Sequence, residues 1–202
     1  VTGVQTCALP IFIVDGANQG VISNYTFNNV VSNHSITAYY SINSYAITVT
    51  QTSNGTISPG TTSVNYGGNQ AFTISPNTGY HVDSVVVDGT NQGAVSSYTF
   101  NNVSSNHAIT AYYSINSYTI TVTQTSNGTI SPGTTSVNYG GSQAFSVTPS
   151  TGYHVDSVFV NGVYVGNNAN FTVSNITGNR TVTVKLAINT YAITVIQGAH
   201  GL

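Results

Sequence analysis

The chain repeats itself at a fixed step, and that step constrains its fold more than any single motif. Tyr45-Ala-Ile-Thr-Val-Thr-Gln-Thr-Ser-Asn-Gly recurs from Tyr118, with Thr119 for Ala46, and in part from Tyr191, 73 residues on each time. Tyr39-Tyr40 returns as Tyr112-Tyr113 at the same spacing. Stacked copies usually provide reach, multivalency or a long surface, and seldom an active site. Two full units are read at 45–113 and 118–186. Residues 12–40 match the second half of a unit, and residues 191–202 match only its first strand. The joints are Ser41-Ile-Asn-Ser44, Ser114-Ile-Asn-Ser117 and Ala187-Ile-Asn-Thr190. A joint of about four residues with one isoleucine implies restricted motion, unlike a Gly/Ser linker.

Residues 1–11 break the pattern. Val1-Thr-Gly-Val-Gln-Thr-Cys-Ala-Leu-Pro-Ile11 resembles a translated sequencing-library adapter, so it is read as an assembly scar outside the fold. The alternative is the tail of a signal peptide, but no basic n-region or full apolar stretch supports it. The scar reading makes the chain a fragment of a larger protein.

Composition narrows the function classes. Charged residues are 3% of the chain, against about 25% in typical soluble proteins. The cations are Arg180 and Lys185, and the carboxylate side chains are Asp15, Asp83, Asp88 and Asp156. Ser, Thr, Asn and Gln, about two-fifths of the residues, must supply solubility. Such a surface suits secreted and cell-surface β proteins better than cytosolic enzymes. Two cations cannot supply the counterion release that drives nucleic-acid binding. No apolar run approaches the roughly 18–20 residues that span a bilayer. Cys7 is the only cysteine, so neither a disulfide nor a cysteine-type zinc site is expected.

Each unit reads as β throughout, with little or no helix. Tyr45, Ile47 and Val49 alternate with Ala46, Thr48 and Thr50 at the period of a half-buried strand. Asn54-Gly55 and Asn127-Gly128 are turn dipeptides, and Asp88-Gly89 and Asn161-Gly162 are hairpin signals. Val82 to Val87 is mostly apolar and β-branched, which predicts a central strand covered on both faces. The core is expected at Tyr45, Ile47, Val49, Phe72, Ile74, Val85, Val87, Phe100 and Ile109, and 73 residues further on.

These residues carry a resemblance. Tyr45-x-Ile-Thr-Val, Gly55-Thr-Ile-Ser-Pro-Gly60, Thr78-Gly-Tyr-His-Val-Asp-Ser-Val85, Val87-Asp-Gly89, Tyr98-Thr-Phe-Asn-Asn-Val103 and Asn106-His-Ala-Ile-Thr-Ala-Tyr-Tyr113 resemble the divergent internalin-type B-repeat. The resemblance covers residues 12–202. It implies tandem, compact all-β modules, β-grasp-like, in large bacterial extracellular proteins. It also implies a spacer or interaction role, with no catalytic residues and no cofactor. Unit two departs from the pattern at Val160-Asn-Gly162, at Phe171-Thr-Val173, and at Arg180 and Lys185, which stand where unit one has His107 and Tyr112.

Four groups of side chains are candidates for chemistry. His81 with Asp83, and His154 with Asp156, share a strand face at i and i+2, and an Asp-oriented His is the core of many hydrolytic sites. The plainer reading is a polar pair bordering a hairpin, since no nucleophile stands out. A metal set of His81, Asp83, Asp88 and His107 is broken in unit two by Asn161 and Arg180. A Lys–Asn crosslink could use only Lys185. Among the 14 tyrosines, Tyr39 and Tyr112 are expected to face away from the core, where aromatic faces can bind sugars. The expected function is therefore a non-catalytic stalk or spacer of a bacterial secreted or cell-surface protein, with neighbouring repeats as partners. The alternative is a multivalent adhesive module for glycan or a host or cell-surface protein, and a third is a hydrolase-associated accessory domain.

Overall fold

The computed structural model describes residues 8–198. Among them there is no helix, and they form two compact units that divide between Ser114 and Ile115. No helix is therefore long and apolar enough to cross a membrane.

The first unit opens with the partial repeat: β1 (Ile11–Val14), β2 (Ala17–Val21) and β3 (Ile36–Tyr39), in sheet order β2-β1-β3. Ile11, assigned to the scar from sequence, is the first residue of β1 and pairs with Val21 and Tyr39. Ala8 also donates its N–H to the Ser41 carbonyl at 2.8 Å. Pro10, also within the scar reading, accepts the Ile22 N–H at 3.3 Å, whereas residues 1–7, including Cys7, lie outside the described residues. Tyr25-Thr-Phe27, the counterpart of Tyr98-Thr-Phe100, forms no strand. In the full repeat that strand pairs with one carrying Phe72, and the partial repeat has no equivalent.

The full repeat contains β4 (Ser44–Thr50), β5 (Gly55–Ser58), β6 (Thr62–Asn65), β7 (Gln70–Pro76), β8 (Tyr80–Val87), β9 (Thr90–Asn91), β10 (Ser97–Phe100) and β11 (His107–Ile115). A five-stranded sheet has the order β6-β4-β11-β8-β9, and a three-stranded sheet the order β10-β7-β5. The first and last strands lie side by side and parallel, with His107 opposite Ile47 and Ile109 opposite Val49. The second unit repeats this plan. It has β12 (Ser117–Thr123), β13 (Gly128–Ser131), β14 (Thr135–Asn138), β15 (Gln143–Pro149), β16 (Tyr153–Val160), β17 (Val163–Gly166), β18 (Asn170–Val173) and β19 (Arg180–Ile188). Its sheets run β14-β12-β19-β16-β17 and β13-β15-β18.

Each core gathers the inward residues of both sheets. In the first unit Ile47, Phe72, Ile74, Val85, Val87, Phe100 and Ile109 are buried as the patterning predicts. Tyr45 and Val49 are only partly buried and pack against this cluster from its margin. The period-two reading missed Ile57, Val64, Val103 and Ala111, which are also buried. The second core matches it at Ile120, Val122, Phe145, Val147, Val158, Val173 and Val182, while Tyr118 and Val160 stay partly exposed. β8 is not covered on both faces. Val85 and Val87 are buried, their neighbours are intermediate, and the strand lies next to the edge strand β9. The segment after Asn189 is a further departure, because residues 191–198 form no strand. In each repeat the first strand is held between the third and the last, as β4 is between β6 and β11. No such partners follow among the described residues.

Uncharged polar side chains close the sheet margins. Gln51 and Gln124 each clamp the backbone six residues on. Gln51 Nε2 donates to the Ile57 carbonyl at 2.7 Å and Oε1 accepts the Ile57 N–H at 3.0 Å. Gln124 does the same to Ile130 at 2.9 and 3.0 Å. Asn106 Oδ1 accepts the Ala46 N–H at 2.9 Å, and Asn179 accepts that of Thr119 at 3.0 Å. Thr61 and Thr134 hydroxyls accept the N–H groups of Val49 and Val122. Backbone groups must be paired when buried, and amides and hydroxyls do this without the desolvation cost of a charge. Part of the Asn, Gln and Thr richness thus has a structural cause.

Candidate binding surface

The most regular polar constellation lies at the Asp/Asn-Gly hairpins. Asp15, Asp88 and Asn161 have φ of 50, 48 and 50°, and the glycines that follow have φ of 80, 80 and 77°. Two successive left-handed residues define the primed turn that suits a two-residue hairpin, and glycine adopts that φ without a Cβ clash. Asp88 Oδ1 accepts the Ala108 N–H at 2.8 Å, and Oδ2 meets His107 Nδ1 at 2.6 Å. Asp15 makes the same pair of contacts, to the Ser35 N–H at 2.8 Å and to His34 Nδ1 at 2.7 Å. Phe100 lies 4.8 Å from the His107 ring and Phe27 lies 4.9 Å from His34. In the second unit Asn161 Oδ1 keeps the backbone bond, to the Thr181 N–H at 2.8 Å, although Arg180 replaces the histidine. The feature shared by all three is the tie between turn and last strand. The imidazole is an addition to it.

This environment shifts both aspartates. Partial burial would raise the Asp88 carboxyl, but the Ala108 N–H and His107 outweigh it and hold it below the usual carboxylate range. For Asp15 the Ser35 N–H acts first and His34 second, in the same direction.

The candidates from sequence separate differently. His154 and Asp156 are both exposed on β16, but their hydrogen bonds lead elsewhere. His154 Nδ1 lies 2.9 Å from Asn189 Oδ1, and Asp156 Oδ2 accepts the Ser157 hydroxyl at 3.0 Å. A register shift between Val155 and Ser157 places Asp156 at an irregularity in the ladder. His81 and Asp83 are exposed on β8. The proposed metal set divides: Asp88 and His107 meet, and among the described residues no three His, Cys, Asp or Glu side chains converge. Tyr112 points away from buried Ile109 and Ala111 and is 49% exposed. Tyr39 is 61% exposed and borders a shallow depression with Leu9, Ile11, Val21 and Tyr40.

Sequence reasoning read the second unit's hairpin from Asn161-Gly162 but passed over the apolar side chains of its second strand, β17. Val163, Tyr164 and Val165 are 66, 58 and 53% exposed. The first unit has polar Thr90-Asn-Gln92 at these positions. Comparing the repeats position by position would have found them.

Comparison with curated proteins and with solved structures finds no match. A family profile described as the divergent InlB B-repeat domain matches residues 45–117 and 118–190, two tandem copies that cover most of the chain. The chain therefore belongs to the divergent InlB B-repeat domain family.

Proposed function

We propose that the chain is a non-catalytic spacer within a bacterial secreted or cell-surface protein, its repeats holding other parts of that protein at a distance. The observation that supports this most is the connection between repeats. β11 ends at Ile115 and β12 begins at Ser117, so one residue, Asn116, joins the last strand of one copy to the first of the next. So short a connector leaves few soft dihedrals. The joint isoleucines Ile42, Ile115 and Ile188 are 49, 37 and 63% exposed. The sparsely charged surface and the family support an extracellular setting.

By the size scaling of compact domains, one repeat has a radius of gyration near 11 Å and adds roughly 25–35 Å of length. Small-angle scattering on arrays of two, four and six repeats tests this. Maximum dimension should rise almost linearly with copy number. A square-root rise means flexible joints and defeats the spacer reading.

A further inference from the structure

We infer a second role that goes beyond the spacer reading: the outer face of the second repeat's five-stranded sheet binds an acidic, uronic-acid-type glycan through Tyr164 and Lys185. Side chains opposite the core form a row across adjacent strands. Thr123 of β12 is in register with Thr183 of β19, Thr183 with Phe159 of β16, and Phe159 with Tyr164 of β17. Four strands at about 4.8 Å spacing make this row roughly 14 Å long, enough for a short oligosaccharide. Thr123 and Thr183 are exposed, which leaves hydroxyls to meet sugar hydroxyls.

Phe159 arranges the two recognition groups. Its ring meets Tyr164 edge-on at 6.0 Å, and the Lys185 ammonium lies 5.2 Å from its centroid. Tyr164 is thereby propped with 58% of its surface in solvent, and a sugar ring can stack on it. Lys185 is the chain's only lysine. Among the described residues the ion pairs are both His–Asp, so its ammonium has no carboxylate partner. Asp156 precedes Ser157, the ladder partner of Lys185, and accepts the Ser157 hydroxyl at 3.0 Å. A cation without an anion, beside an exposed aromatic ring and a line of hydroxyls, is complementary to a sugar that carries a carboxylate. The first repeat lacks the combination, with Val86, Asn91 and Tyr112 at the matching positions.

The test is isothermal titration of the full chain with trigalacturonate, its methyl ester and triglutamate. The variants are Tyr164→Asn, which restores the first repeat's residue, and Lys185→Gln. Unchanged thermal unfolding would show that both remain folded. Trigalacturonate should bind in the millimolar range or tighter and weaken as salt is raised. Each variant, and esterification, should weaken it by about tenfold. The proposal is overturned by absent binding, by equal binding of the ester or of triglutamate, or by variants that bind as well as the parent. It is also overturned if sedimentation shows that Tyr164→Asn abolishes a dimer while leaving trigalacturonate binding intact, because the hairpin is then a contact between copies.

Discussion

Phe72→Ala tests the core of the first full repeat. Phe72 is 1% exposed and meets Phe100 edge-to-face at 5.9 Å. A phenylalanine buries about 150–250 Å², and at about 25 cal/mol per Å² its burial corresponds to roughly 4–6 kcal/mol. Alanine retains part of that contact, while the unfilled cavity adds a penalty, so the expected loss is about 3–5 kcal/mol. A module of this length has a total stability of roughly 4–11 kcal/mol at the usual contribution per residue. The substitution therefore removes a large share, and the affected transition should fall by at least about 12 °C. Urea unfolding followed by far-ultraviolet circular dichroism measures the loss. Phe145→Ala, at the equivalent 2%-exposed position, should lose a similar amount. Tyr112→Ala is the surface control and should lose less than about 1 kcal/mol. A loss below about 1 kcal/mol for Phe72→Ala, or an equal loss for Tyr112→Ala, refutes the assignment of this core.

Three further outcomes are expected. Gln124→Ala strands the part-buried N–H and carbonyl of Ile130, which should destabilise by about 1–3 kcal/mol in urea unfolding, and an unchanged midpoint would mean water replaces the clamp. Gly128→Ala places a Cβ 2.7 Å from the Thr148 carbonyl and 2.6 Å from Leu186 Cδ1, so backbone must shift and at least about 1 kcal/mol should be lost, whereas Gly133→Ala, whose Cβ would meet Gln124 Nε2 at an ordinary 3.9 Å, should be tolerated. Because the folded Asp88 carboxyl is held below its unfolded value, its stabilisation is present above about pH 4 and is lost as pH falls through the lower folded value. Asp88→Asn keeps an acceptor for the Ala108 N–H, so its stability should fall less steeply than the parent's below about pH 4, and identical acid slopes would remove Asp88 from the titration.

The repeat and its period-two alternation were enough to establish an all-β fold in tandem copies, and most of each core. Alternation reports which side of a strand is apolar, and burial follows that side directly. Ile57, Val103 and Ile176 escaped because they lie on a short strand or in connections, where two or three residues carry no readable period. Pairing partners were likewise not legible. That His107 faces Asp88, 19 residues away, depends on a hairpin returning to the last strand, whereas i, i+2 spacing could pair only His81 with Asp83 and His154 with Asp156. Nor could spacing show that the first and last strands of a repeat lie parallel, since that contact closes over about 60 residues. The sequence alone determined the module and its count. The tertiary structure decided which polar groups meet, because long-range strand order sets those distances.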